Sequence, residues 1–152
     1  AWILGRLSTA GWDEVLLLLP YSLVCGGGMM LAAGALDVLA VGDDEASTLG
    51  LRPRTVRRLV LLVASLGAAA AVAVSGLIGF VGLIVPHAVR LVAGVSHRRV
   101  IPLSLLFGAA FLTLADVVAR TVRSPAEMPI GVITAFIGAP FFLSILRRQG
   151  AA

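Results

Sequence analysis

An apolar run that begins at Leu59 continues into Gly76–Arg90. This stretch contains glycines, a proline and a histidine, which a simple membrane anchor does not need. Glycine permits unusual dihedrals or close backbone approach, and proline removes a backbone donor and bends a helix. Lipid tolerates irregular backbone only where neighbouring protein or water satisfies the freed polar groups. The stretch therefore predicts a polytopic membrane protein with a packed interior. The residues predicted to serve helix packing or bending are Gly76, Gly79, Gly82, Pro86, His87 and, further along, Pro140.

The composition also indicates a membrane protein. The chain is 59% hydrophobic and 13% charged, whereas soluble domains are about 45–50% apolar and about 25% charged. All 12 basic residues are arginines that border the apolar runs. Orientation in the bilayer explains this placement better than nucleic-acid binding does. The single cysteine, Cys25, offers no internal disulfide and no cysteine-based metal site.

The apolar runs predict an all-α, polytopic transmembrane helical bundle with about five spans. A helix needs about 20 apolar residues to cross the hydrocarbon core. The third run is shorter. It is a continuation of the second span, a re-entrant piece, or a short span of its own, bent at Pro86, that brings the total to five. The five runs are Val15–Leu36, Leu59–Ser75, Gly79–Gly94, Ile101–Ala119 and Met128–Leu146.

The positions of the arginines favour five crossings. Four arginines between Arg52 and Arg58 precede the second span, which predicts a cytoplasmic loop by the positive-inside rule. If the third run crosses, the pairs at 98–99 and 147–148 also lie inside. The amino end is then outside and the carboxyl end inside, and the chain reads as part of a longer protein. The arginines left outside are Arg6, Arg120 and Arg123.

The loop between the first two spans carries the pattern of a short capped helix. Gly42 turns the chain, Asp43 can cap a helix, and the acids that follow suit its positive end. Ala46 and Leu49 form a small apolar face, and Gly50 ends the helix. Such a helix suits contact with a soluble partner, but the spacing alone favours an ordinary solvated connection.

Several ordered motifs resemble those of the FecCD family of ABC importer permeases, and the resemblance extends from Trp2 to Arg148. Members of the family have ten helices and about twice this length. The resemblance therefore implies that residues 1–152 are the carboxyl-terminal part of a single transmembrane permease domain, with helices six to ten. The motifs are Gly42–Gly50, Gly79–His87 with Arg90, Ala115–Arg120, Glu127–Gly131 and Ile137–Phe142.

The resemblance also implies a function and partners. The chain would belong to a permease that moves iron–siderophore complexes, haem or vitamin B12 across the bacterial cytoplasmic membrane. Its partners would be a second permease copy in a homodimer or pseudo-dimer, ABC ATPase subunits, an extracytoplasmic solute-binding protein and membrane lipid, with no nucleic acid.

The resemblance assigns two groups of residues to these partners. A coupling segment at about 42–52 would contact the ATPase, and Asp44 stands there where glutamate is commoner. Arg120 would bind acidic residues of the solute-binding protein, with Arg123 as a helper. Leu77 stands where many members have proline. The matched positions of the coupling segment are Gly42, Asp43, Asp44, Ala46, Leu49 and Gly50.

Two residues invite a chemical role that the pattern does not favour. His87 has only His97 as a second histidine, so the sequence predicts no metal site and no cofactor, and His87 is interpreted as structural. Asp116 precedes Arg120 by four residues, which favours an interfacial ion pair over a coupling carboxylate. The chain lacks nucleotide-binding and metalloprotease motifs, so we expect no enzyme and ATP hydrolysis in a separate subunit. An ion-coupled secondary transporter is the alternative function.

Overall fold

The computed structural model describes residues 5, 11–122 and 128–149, and all secondary structure in these residues is helical. Each predicted span contains one helix, and the loop between the first two contains a short additional helix. By length and composition α1, α3 and α5 can cross a membrane, whereas α4 and the apolar part of α6 are shorter. The helices are α1 (Trp12–Leu39), α2 (Asp43–Thr48), α3 (Pro53–Ser75), α4 (Val81–Ala93), α5 (His97–Thr121) and α6 (Ile130–Gln149).

The largest boundary difference concerns α3, which begins at Pro53 rather than at Leu59. Proline suits the first turn of a helix because its fixed φ is helical and its missing N–H is not needed there. As a result, Arg54, Arg57 and Arg58 lie in the first turns of α3 and only Arg52 precedes the helix.

Small residues bring α1 and α3 together in antiparallel orientation. A Cβ added to Gly67 would lie 3.1 Å from Cys25 Cβ, and one added to Gly28 would lie 3.3 Å from Val63 Cγ1. Such residues let helix backbones approach closely in lipid. Helix α3 ends at Ser75, so Gly79 lies beyond it and takes no part in this contact.

The start of α5 lies beside the end of α1, which answers the question left open by the third apolar run. The backbone N–H of His97 donates to Asp37 Oδ1 at 2.5 Å. Because α3 runs antiparallel to α1, α3 ends at the far side of the bundle from the start of α5. Residues 76–94 must therefore lead the chain back across the bundle. The irregular segment Gly76–Phe80, which can span at most about 16 Å, and α4, about 20 Å long, together make this return. The third run therefore returns across the bundle as the arginines predicted.

Buried apolar packing joins α4 to α5. Val85 and Val89 of α4 and Val100 of α5 form a buried cluster. Elsewhere long apolar side chains face outward, and Leu31 is 89% and Phe136 83% exposed. Exposed apolar surface of this extent indicates contact with lipid or further protein.

Candidate functional site

Helix α2 projects from one end of the bundle, which we call the α2 end. The α2 end consists of the last turn of α1, the whole of α2, and the first turns of α3 and α5. Gly42 is the N-cap of α2, and its φ of 163° is extended backbone. The three acids of the first turn suit the positive end of the helix. They are Asp43, Asp44 and Glu45.

The carboxyl end of α2 is closed by two backbone hydrogen bonds. Gly50 N–H donates to Ser47 O at 3.0 Å and Leu51 N–H donates to Ala46 O at 3.0 Å. Gly50 has φ +81°. This combination is a Schellman motif, which places glycine in the left-handed conformation just after the helix. The prediction that Gly50 ends this helix is confirmed by these bonds.

Asp43 was predicted to cap α2, and that prediction was wrong. Gly42 holds the N-cap position, and no side-chain hydrogen bond caps the helix. The Asp43 carboxylate instead accepts two hydrogen bonds from Arg57 of α3, at 2.6 and 2.9 Å. Asp43 therefore orients α2 against α3, a contact that sequence spacing did not indicate.

The prediction that Ala46 and Leu49 form one apolar face was also wrong. Ala46 has no exposed surface, whereas Leu49 is 70% exposed. Ala46 lies on the side of α2 that packs against the bundle, and Leu49 is the C-cap residue. Every residue of α2 except Ala46 is exposed, as is Leu49, so a partner can reach Asp44, Glu45 and Leu49 among others.

Asp37, in the last turn of α1, was missed by the sequence interpretation. Its carboxylate accepts hydrogen bonds from Ser96 Oγ at 2.7 Å and from His97 N–H at 2.5 Å, and it lies 2.8 Å from His97 Nδ1. Ser96 is the N-cap of α5, yet its side chain makes no capping hydrogen bond within that helix. Asp37 supplies the cap from another helix and places negative charge at the positive end of α5.

Arg120 lies at the opposite end of the bundle, on the last turn of α5. Arg120 Nε donates to Asp116 Oδ2 at 2.8 Å, so the predicted ion pair is confirmed. The Arg120 side chain is 48% exposed. Its predicted helper, Arg123, lies outside the described residues.

Of the predicted glycines, Gly76 has the clearest structural requirement. It is the C-cap of α3 with φ +71° and is buried, so a side chain there would be strained. A Cβ added to Gly79 or Gly82 would meet no atom within 4 Å, so neither glycine makes a close contact in the described part of the chain.

The close contact of this region lies instead between α6 and the residue that precedes α4. A Cβ on Gly138 of α6 would overlap the Cβ and Cγ of Phe80. Phe80 itself has φ +65°, a conformation that non-glycine residues rarely adopt. The His87 ring packs edge-on against Phe141 at 5.8 Å between centroids. Both α4 and α6 continue as helices through Pro86 and Pro140.

A cleft of about 730 Å³ opens between α1, α3, α4 and α5. Its lining is mostly apolar and includes Gly67 and Gly108, with Arg90 and His97 at the α2 end. Ser104 Oγ is buried without a hydrogen-bond partner in the described residues. In the same residues, no three His, Cys, Asp or Glu side chains come together as a metal site would require. This lining suits apolar packing rather than catalysis.

Comparison with known proteins agrees with the resemblance to the FecCD family over nearly the whole chain. The model of the FecCD transport family matches residues 1–148. The chain is 49% identical over 148 residues to the cobalamin import system permease protein BtuC of Halobacterium salinarum, covering 97% of this chain and 40% of that protein. It is 42% identical over 147 residues to the Fe(3+)-citrate import system permease protein YfmD of Bacillus subtilis, covering 97% of this chain and 44% of that protein.

A solved structure agrees with these sequence relatives. It is a metal-chelate type ABC transporter in an inward-facing conformation, similar with a TM-score of 0.90 at 36% identity. The similarity covers 97% of this chain and 47% of that one. The chain thus spans less than half the length of the proteins that it matches.

Proposed function

Because this chain belongs to the FecCD transport family, we propose that it is the carboxyl-terminal part of the permease of an ATP-driven importer. The observation that carries the proposal is α2, a short capped helix fixed at one end of a bundle of apolar helices. Apolar helices of this kind form the wall of a transport path, and ATP hydrolysis is then the work of a separate subunit. The α2 end faces the cytoplasm in this proposal, because the arginines at 52–58 and 98–99 lie there.

Helix α2 is the contact that the ATPase engages. A soluble partner can move a membrane protein only through an element that resists bending, and α2 is closed at its carboxyl end and bound to α3 through Asp43 and Arg57. Its exposed residues include Asp44 and Glu45, and Leu49 follows as its exposed C-cap. Leu49 is the apolar anchor of this contact, since buried apolar side chains dominate binding energy at interfaces.

Arg120 contributes to docking of the extracytoplasmic solute-binding protein. The hydrogen bond from Nε to Asp116 fixes the direction of the guanidinium, and a guanidinium has further donors that match a carboxylate of a docking protein. Arg123 assists from the adjacent segment.

The solute is an iron–siderophore complex or a related large chelate such as haem or vitamin B12. Relatives named for cobalamin and for Fe(3+)-citrate match this chain at 49% and 42% identity. These values are close, so identity alone does not select one solute. The permease works as a homodimer or a pseudo-dimer in the bacterial cytoplasmic membrane.

The test of the proposal is co-purification of an ATPase from detergent-solubilised membranes. The Leu49→Asp variant should reduce the co-purified ATPase about tenfold or more, as expected for an interface anchor worth at least about 1.4 kcal/mol. Val95→Asp is the matched control, because Val95 is an exposed apolar residue at the same end of the bundle and lies outside α2. Equal binding by both variants, or no ATPase with the unmodified protein, would contradict the proposal.

A further inference from the structure

The hydrogen bonds of Asp37 join α1 to α5, two elements that are far apart in sequence. Ser96 Oγ and His97 N–H, from adjacent residues at the start of α5, both donate to this carboxylate. The side chains of Asp37 and His97 are 27% and 23% exposed, so the group is partly shielded from water. A charge-assisted bond in such a setting is stronger than one between exposed side chains.

Asp37 is also close to α2 along the chain. Only Val38–Gly42 separate it from the first residue of α2. Two backbone bonds hold this connection in a tight turn, from Ala40 N–H to Leu36 O at 3.0 Å and from Val41 N–H to Val38 O at 3.1 Å. A displacement of α2 therefore acts directly on the last turn of α1, because the connection has little slack.

The start of α5 is held against α1 by a second contact. The guanidinium of Arg98 lies over Gly34, where an added Cβ would be 2.8 Å from Arg98 Nη2. Further along, Val100 of α5 packs with Val85 and Val89 of α4 in the buried cluster. A displacement that reaches the first turn of α5 is therefore shared by α4.

The alternative connection from α2 to the bundle is more exposed. The Asp43–Arg57 pair has both side chains 53% exposed, and it leads to α3 rather than to α5. Exposed ion pairs contribute little and are screened by salt. Of the two connections, the one through Asp37 is less exposed to solvent.

We propose that Asp37 is a positioning residue that transmits movement of α2 to α5. The movement then reaches α4 through the buried apolar cluster that α4 and α5 share. The proposal rests on the proposed function, in which an ATPase moves α2. As a positioning residue, Asp37 acts through its hydrogen bonds to the start of α5. It keeps the amino end of α5 attached to the end of α1 while α2 moves, so that ATPase closure changes the shape of the bundle rather than that of a loop.

The proposal is tested by the amount of solute imported per ATP hydrolysed. The transporter is reconstituted in proteoliposomes with its ATPase and solute-binding protein, and ferric siderophore, haem and cobalamin are each supplied as the solute. Asp37→Leu removes the acceptor but keeps the branched shape and the number of side-chain heavy atoms, and it should lower the ratio about fivefold or more, the usual lower bound for coupling between sites. Asp37→Asn keeps an acceptor for His97 N–H and should retain at least about half of the ratio, since its amide can still bond the Ser96 hydroxyl.

Asp13→Leu is the control, because Asp13 is an exposed acid at the other end of α1. It should leave the ratio unchanged. A purely structural role for Asp37 would reduce the yield of assembled transporter without changing the ratio, and that result would overturn the proposal. Equal loss in Asp37→Asn and Asp37→Leu would also overturn it, as would equal loss in Asp13→Leu.

Ser96→Ala provides a milder variant if Asp37→Leu does not assemble. It removes one hydrogen bond to Asp37 and should lower the ratio about twofold, the smaller end of effects seen for residues between coupled sites. An unchanged ratio in this variant would contradict the proposal. Absence of ATP-dependent uptake by the unmodified transporter would instead refute the proposed function, so the two failures are distinguishable.

Discussion

Replacing Gly138 by alanine should destabilise the bundle, because the new methyl group has no space. Gly138 lies in α6 directly against Phe80, and the added Cβ would overlap the Cβ and Cγ of that residue. The Cβ is fixed by the backbone and cannot turn away by a change of rotamer. Phe80 is also fixed in an unusual conformation, with φ +65°. The overlap must therefore be relieved by movement of α6 away from the start of α4.

The expected magnitude follows from two opposing effects. Overpacking costs about 1–3 kcal/mol, and the upper half of this range applies because the contacted atoms are rigid. Alanine gains about 0.5–1 kcal/mol over glycine inside a helix. Gly82→Ala is the matched control, since an added Cβ there meets no atom within 4 Å. Gly82 lies in the first turn of α4, where the helix gain of alanine is smaller than inside α6, so the two variants should differ in free energy of unfolding by about 1–3 kcal/mol.

The assay is reversible unfolding of the purified protein by SDS titration in mixed micelles, followed by circular dichroism. A double-mutant cycle with Phe80→Gly isolates the contact. Because Phe80→Gly removes the overlapping atoms, Gly138→Ala should be neutral or stabilising in that background. Equal stability of Gly138→Ala and Gly82→Ala, or an undiminished penalty in the Phe80→Gly background, would refute the assigned contact.

Three further predictions concern the two ends of the bundle. Single cysteines at Leu49 and Val95 should react with an impermeant maleimide from the same side of the membrane and one at Leu77 from the opposite side; labelling of all three from one side would refute the five-crossing topology. Gly50→Ala should destabilise the end of α2 by about 1–2 kcal/mol, because φ there is +81°, and faster hydrogen exchange in α2 would show it, whereas unchanged exchange would contradict it. Arg120→Glu should weaken docking of the solute-binding protein at low salt while ATPase co-purification persists, and unchanged docking affinity would remove Arg120 from that role.

The helices and their order could be predicted from the sequence because each depends on local information. The apolar runs and the arginines at their borders predicted α1, α3, α5 and α6. The unequal distribution of arginines predicted that the chain crosses the bundle once more before Arg98. Gly50 was predictable as a helix end because the left-handed conformation after a helix favours glycine. The start of α3 was placed too late because hydropathy alone ignores the helix-starting preference of Pro53.

The contacts between helices could not be predicted, because they depend on which faces meet. Ala46 and Leu49 are both apolar, and only packing against the bundle distinguishes the buried residue from the exposed one. Asp43 matched the capping preference of acids, but Arg57 lies one turn into α3 and binds its carboxylate. The bonds from Ser96 and His97 to Asp37 join distant positions without a spacing rule, so no local pattern pointed to them.

ATP-dependent solute uptake in proteoliposomes tests the central claim most directly. The unmodified transporter should import solute only when ATP is enclosed with the ATPase at the α2 end, and Leu49→Asp should lower uptake in step with its loss of ATPase binding. Collapse of proton and sodium gradients should leave uptake unchanged. Uptake that persists without ATPase and follows an ion gradient would contradict the account and favour a secondary transporter.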